Sequence, residues 1–157
     1  PGVGSTFWFT VRLKKGQASD TTPDAASANE AEARLMRDHR GRRLLLVEDE
    51  PINREVALGL LADLGLVVDV AQNGAEALEL AGRRTYDLIL MDMQMLEATR
   101  RIRELPQGGR VPIIAMTANT FVEDKARCQA AGMSDFLAKP VDPEHLFATL
   151  LKWLDAT

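Results

Sequence analysis

The sequence predicts an α/β fold: a parallel five-stranded sheet with helices on both faces. Three observations predict it. From Gly41 onward, short apolar runs alternate with segments whose apolar residues recur at helical spacing. Leu44–Val47 and Leu88–Met91 are continuously apolar, as strands buried on both faces must be. Each run is followed within a few residues by a helix start, the pattern of successive right-handed βα units.

Taken in order, Leu44–Val47 is the first strand. Pro51 opens a helix with Val56, Leu60, Leu61 and Leu64 on one side, and Gly65 closes it. Val67–Ala71 is the second strand, and Asn73 caps a helix running to about Arg84. Tyr86–Asp92 and Glu97–Leu105 form the third unit, and Val111–Met116 with a helix from about Thr120 to Ala131 the fourth. Asp135–Ala138 is a short fifth strand. Asp142 then caps a final helix that turns Leu146, Leu150, Leu151 and Leu154 inward.

Ahead of Gly41 the pattern differs. Phe7, Phe9, Val11 and Leu13 alternate with Trp8, Thr10, Arg12 and Lys14, the period of a half-buried strand. A lone strand needs a partner, and exchange of residues 7–13 between two chains would supply one in a dimer. Residues 16–40 are rich in Ala, Ser, Thr and Asp and predict a flexible linker, with two helical turns available over Glu30–Arg37. His39 stands there in an exposed basic context that suggests no chemical role.

Composition excludes several functions. The net charge is −4, with the first forty residues at +1 and the remainder at −5, the wrong sign for a nucleic-acid-binding face. Cys128 is the only cysteine and reads as a small buried hydrophobe, so a reducing, cytoplasmic setting is expected. No apolar run approaches the ~20 residues of a membrane span, and no signal peptide is evident. No Gly-x-Gly-x-x-Gly follows a strand, which sets aside a dinucleotide enzyme.

The chemistry gathers at the carboxyl ends of the strands. Glu48 and Asp49 follow the first, Asp92 ends the third, Thr117 ends the fourth and Lys139 follows the fifth. In the flavodoxin-like order 2-1-3-4-5, the first and third strands are neighbours flanking the crevice where such sheets bind ligands. Each residue alone has a bland reading. Asp92 could cap the next turn, Glu48 or Asp49 the helix at Pro51, Thr117 could be structural and Lys139 a solvated lysine. Together, three carboxylates suit a hard divalent cation such as Mg²⁺. A hydroxyl and an ammonium beside them suit a phosphoryl group.

The blocks Leu44–Glu50, Leu88–Met95, Ile113–Ala118 and Phe136–Pro140 resemble the signature segments of response-regulator receiver domains, in detail those of hybrid sensor histidine kinases. The resemblance spans about Arg42–Leu154. It implies the (βα)5 receiver fold, with Asp92 accepting a phosphoryl group from phosphohistidine and relaying it. It also implies Mg²⁺ held by Asp49, Asp92 and the backbone carbonyl of Gln94, with Glu48 acting through water. Thr117 and Lys139 would bind phosphoryl oxygens, Thr117 and Phe136 would form the switch, and Lys139-Pro140 would be cis. A histidine-containing kinase or phosphotransfer domain would be the partner.

Gly2–Leu13 resembles the last glycine box and strand of a histidine-kinase ATP-binding domain. The expected organisation is therefore a remnant of that domain over 1–15, the linker over 16–40 and the receiver over 41–157. Such a fragment could receive a phosphoryl group. It would lack the phosphorylatable histidine domain and nearly all of the ATP site needed to generate one, and its parent kinase could be anchored in a membrane.

One departure matters. Between Met95 and Leu96 the chain is about five residues shorter than the family's pattern, where βα loops of 2–6 residues are usual. Either the connection is truly short or a mobile stretch stands unseen between these residues, and the mobility of active-site loops favours the second. A truly short loop strengthens an alternative, a degenerate receiver acting only through protein contacts. An aspartyl-nucleophile phosphatase would want a second acid two residues after Asp92, where Gln94 stands.

Overall fold

The apolar runs form the strands they predict. In a computed structural model, which describes residues 23–118 and 121–156, β1 (Arg43–Val47), β2 (Val67–Ala71), β3 (Leu88–Asp92), β4 (Ile113–Thr117) and β5 (Asp135–Ala138) lie in the order β2-β1-β3-β4-β5. Every pairing is parallel. The helices are α1 (Pro23–Asp38), α2 (Pro51–Leu61, prolonged by a 3-10 turn Ala62–Leu64), α3 (Gly74–Arg83), α4 (Leu96–Arg103), α5 (Val122–Ala131) and α6 (Pro143–Asp155).

The sheet separates two cores. Leu44, Leu46, Leu88, Leu90, Ile114 and Met116 face α2 and α6. Leu45, Val47, Ile89, Met91, Ile113 and Ala115 face α3, α4 and α5. Successive side chains point to opposite faces and helices cover both, so the inner strands β1, β3 and β4 are apolar except at their ends, while the edge strands β2 and β5 carry Asp69 and Asp135. Register aligns Val47 with Met91, Asp92 with Met116 and Thr117 with Ala138. The polar residues following these strands therefore share one edge.

Local signals set the ends of the helices. Asn73 accepts the backbone N–H of Glu76 at the start of α3, and Asp142 that of His145 at the start of α6. Gly65 closes the turn after α2 at φ 76°, a left-handed conformation that disfavours side chains. Lys139-Pro140 is cis. Cys128 is buried, as expected. No helix among the described residues is long and apolar enough to cross a membrane.

Three expectations are corrected. Residues 23–38 are helix rather than flexible linker. Ala31 and Leu35, one turn apart, are buried in the α2/α6 core, and that core supplies the apolar partners the segment's own composition lacks. His39 is buried rather than exposed, with Nε2 2.7 Å from Asp155 Oδ1. Met95 and Leu96 are consecutive in a continuous chain, the 3-10 turn Met93–Met95 running directly into α4, so the short connection is real. The expected strand over 7–13, its exchanged dimer and the ATP-domain remnant lie outside the described residues.

Candidate functional site

The acids arrive from two adjacent strands. β1 ends at Val47, so Glu48, Asp49 and Glu50 form the turn leading into α2, and Glu48 N–H is held by Ala71 O at 3.1 Å. The cap of α2 is Glu50, which accepts from Ile52 N (3.1 Å) and Asn53 N (3.3 Å). Glu48 and Asp49 are thereby relieved of the capping role that sequence alone left open to them. Arg54, in the first turns of α2, donates from Nη1 to Glu48 O (3.1 Å) and Asp49 O (3.4 Å), fixing the backbone that presents both carboxylates. Sequence reasoning missed Arg54. Its only signal is its position one turn into the helix that follows the acids.

Asp92 is 4% exposed at the end of β3. Its Oδ1 accepts Gln94 N–H at 3.0 Å, so it does cap the following turn. Its Oδ2 faces the other way, 3.4 Å from Lys139 Nζ. One oxygen thus serves the cap and the other is turned to the lysine.

Lys139 follows β5, and its backbone N–H is held by Thr117 O at 2.7 Å. Its ammonium also stands 2.8 Å from Glu48 Oε2, an ion pair rather than an aligned hydrogen bond. Glu48 is 1% exposed. Burial raises its pKa above the ordinary carboxylate value, opposed by Lys139 and by the Glu50 N–H that reaches Oε1 at 3.2 Å.

Carboxylate oxygens of Glu48, Asp49 and Asp92 lie within 4.8 Å of one another, with Asp49 exposed and the other two buried. One ammonium cannot balance three carboxylates, so the donor set suits a divalent cation with oxygen ligands. An open cleft of about 450 Å³ is lined here by Glu48, Asp49, Asp92, Gln94, Ala118 and Lys139, among others. Thr117 is buried at the end of β4, immediately before Ala118. Phe136 stands apart from the cleft: its ring carries Lys125 Nζ 4.4 Å from the centroid and packs with the α3/α4/α5 core.

Buried acids at the ends of two central strands, a lysine reaching them from a third, and a doubly covered parallel sheet define an α/β domain with a charged cleft at the carboxyl ends of its strands. The model of the response regulator receiver domain family matches residues 44–151, and the chain belongs to that family. It is 36% identical over 155 residues to hybrid signal transduction histidine kinase K of Dictyostelium discoideum, covering 91% of this chain and 12% of that protein. It is 40% identical over 152 residues to sensor histidine kinase AruS of Pseudomonas aeruginosa, covering 92% and 14%. The chain thus spans only a small part of these relatives.

Among solved structures, the receiver domain of sensor histidine kinase PA1611 from Pseudomonas aeruginosa matches with a TM-score of 0.69 at 42% identity, over 73% of this chain and 98% of that one. That crystal contains a magnesium ion in the active-site cleft. The receiver domain of Saccharomyces cerevisiae Ssk1, crystallised with the histidine phosphotransfer protein Ypd1, matches with a TM-score of 0.68 at 28% identity, over 73% and 89%.

Proposed function

We propose that this chain is the phosphoacceptor receiver of a hybrid two-component kinase, with Asp92 taking a phosphoryl group from a phosphohistidine and passing it on. The observation that carries the reading is the convergence on Asp92: a buried carboxylate, two further acids within 4.8 Å and an ammonium at 3.4 Å. Oδ1 is engaged by Gln94 N–H, so Oδ2 is the oxygen offered to phosphorus. Attack by Oδ2 breaks the P–N bond, and its electron pair stays on the imidazole nitrogen, which takes up a proton. The product is an acyl phosphate.

Lys139 neutralises charge on the phosphoryl oxygens, and Thr117 adds a hydroxyl donor. Asp49, Asp92 and the carbonyl of Gln94 would hold magnesium, with Glu48 contributing through water. Bound there, the ion supplies charge neutralisation between the phosphoryl group and the carboxylates. Thr117 and Phe136 would pass the change to the surface. The donor would be a histidine kinase or phosphotransfer domain in the cytoplasm.

The short connection after Met95 favours a second reading, a receiver that serves protein contacts without phosphorylation. One experiment separates the two: exposure to acetyl phosphate with Mg²⁺, comparing the chain with Asp92→Asn by intact mass. A Mg²⁺-dependent gain of one phosphoryl group, lost in D92N, supports the phosphoacceptor. No gain in either chain supports the interaction module. Multiple turnover on small phosphate esters would point instead to an aspartyl-nucleophile phosphatase.

A further inference from the structure

Helix α1 precedes the receiver fold itself: the family match begins at residue 44, whereas α1 ends at Asp38. It is nevertheless seated in the receiver's core. Leu35 is fully buried, and Ala31 lies beside it in the cluster containing Leu61, Leu64, Leu150 and Leu154. Its chief contacts are α6 and the 3-10 turn that ends α2. At its lower end, Asp155 of α6 takes both Arg34 Nη2 (2.9 Å) and His39 Nε2 (2.7 Å).

The two elements under α1 are rooted on opposite lips of the Asp92 cleft. α2 begins at Pro51, just after Asp49, and α6 begins at Pro143, just after Lys139-Pro140. The Lys139–Glu48 ion pair at 2.8 Å ties the two roots together. We propose, on the basis of the phosphoacceptor reading above, that α1 reports occupancy of the Asp92 site: an anion bound there loosens α1 from α6 and from the end of α2, and so signals to the chain upstream.

The physical steps are short. An anion on Asp92 draws the Lys139 ammonium from Glu48, and the tie between the roots of α2 and α6 is cut. The two helices then shift relative to each other. Leu35, fully buried between them, cannot follow both, because packed interfaces switch rather than stretch. The polar lock resists weakly, since Arg34 and Asp155 are each about 40% exposed and such pairs contribute little. Coupling is reciprocal: whatever factor the anion applies to the opening of α1, loosening α1 applies to anion affinity.

The test uses the full chain with Mg²⁺, with and without beryllofluoride, a phosphoryl mimic whose binding is followed by fluorine NMR. Amide hydrogen exchange is read by mass spectrometry over residues 23–38. The expected result is exchange in α1 faster by roughly 5-fold or more, the lower range of such couplings, while the sheet amides show no acceleration. Asp155→Asn, a surface change that leaves the core intact, and Leu35→Ala should both bind beryllofluoride tighter, Leu35→Ala the more so and neither by more than that factor. Unchanged or slower α1 exchange alongside a bound fluorine signal overturns the proposal. Absence of any bound signal in the unsubstituted chain overturns the phosphoacceptor reading itself, and this proposal with it.

Discussion

Lys139 and Glu48 pair across the cleft at 2.8 Å, closer than Lys139 comes to Asp92 at 3.4 Å. The lysine therefore guards a buried carboxylate that no other cationic side chain among the described residues pairs with. Removing one member of such a pair strands the other in a poorly solvated place. Lys139→Met should lower unfolding free energy by about 3–5 kcal/mol, and adding Glu48→Gln should recover most of that loss. Urea denaturation of the two single variants and the double variant closes the cycle. Strict additivity would show that the pair is not coupled.

Magnesium should stabilise the chain by mass action. At a hundredfold excess over its dissociation constant, a ligand bound only by the folded state adds about 2.7 kcal/mol. Tm should rise with Mg²⁺ and return to its starting value with EDTA. Asp49 is exposed, so Asp49→Asn should cost less than ~0.5 kcal/mol in metal-free buffer. The same substitution should remove most of the magnesium-dependent rise. A full rise in Asp49→Asn would take that residue out of the metal site.

The sheet order and the row of site residues were legible because strand ends and chemistry coincide. An apolar run stopping at Asp92, or at Val47 before Glu48, marks both the strand and the position where its last side chain enters the crevice. Helix α1 was not legible as a docked element, because its only buried apolar residues among those described are Ala31 and Leu35. Two positions one turn apart carry too little pattern, and the surface that receives them lies more than a hundred residues downstream on α6. His39 was misjudged for the same reason: its partner Asp155 is invisible from its basic neighbours. Glu50 rather than Glu48 caps α2, a choice among adjacent acids that backbone geometry alone decides.

The pole opposite the cleft depends on one arginine. Arg103 donates to Gly132 O (2.8 Å), Gly108 O (2.7 Å) and Val111 O (2.6 Å), joining the α4–β4 and α5–β5 connections. Gly108 is held there tightly, and an added Cβ would collide with the carbonyl oxygen of Ile102. Its neighbour Gly109 has open space at the same position. Gly108→Ala should cost more than ~3 kcal/mol while Gly109→Ala stays within ~0.5 kcal/mol. Thermal melts of the two variants make the comparison, and equal melting points would contradict the packing described.

Asp69 predicts an acid-side loss of stability. Its carboxylate accepts Tyr86 OH at 2.8 Å and Arg84 Nη1 at 2.9 Å. Burial pushes its pKa up, but these partners prevail and hold it below the ordinary value of 3.8, while burial and Asp69 together push the Tyr86 phenol up. A carboxylate whose folded pKa is depressed contributes stability in full above its unfolded pKa and loses it as pH falls through the folded one. Asp69→Asn should therefore be less stable than the unsubstituted chain by about 1–2 kcal/mol at neutral pH. That gap should persist down to about pH 4 and close below it. Comparing the two chains at each pH cancels the other carboxylates, so a gap that stayed constant from neutral pH to below pH 3 would show that Asp69 does not owe its contribution to ionisation.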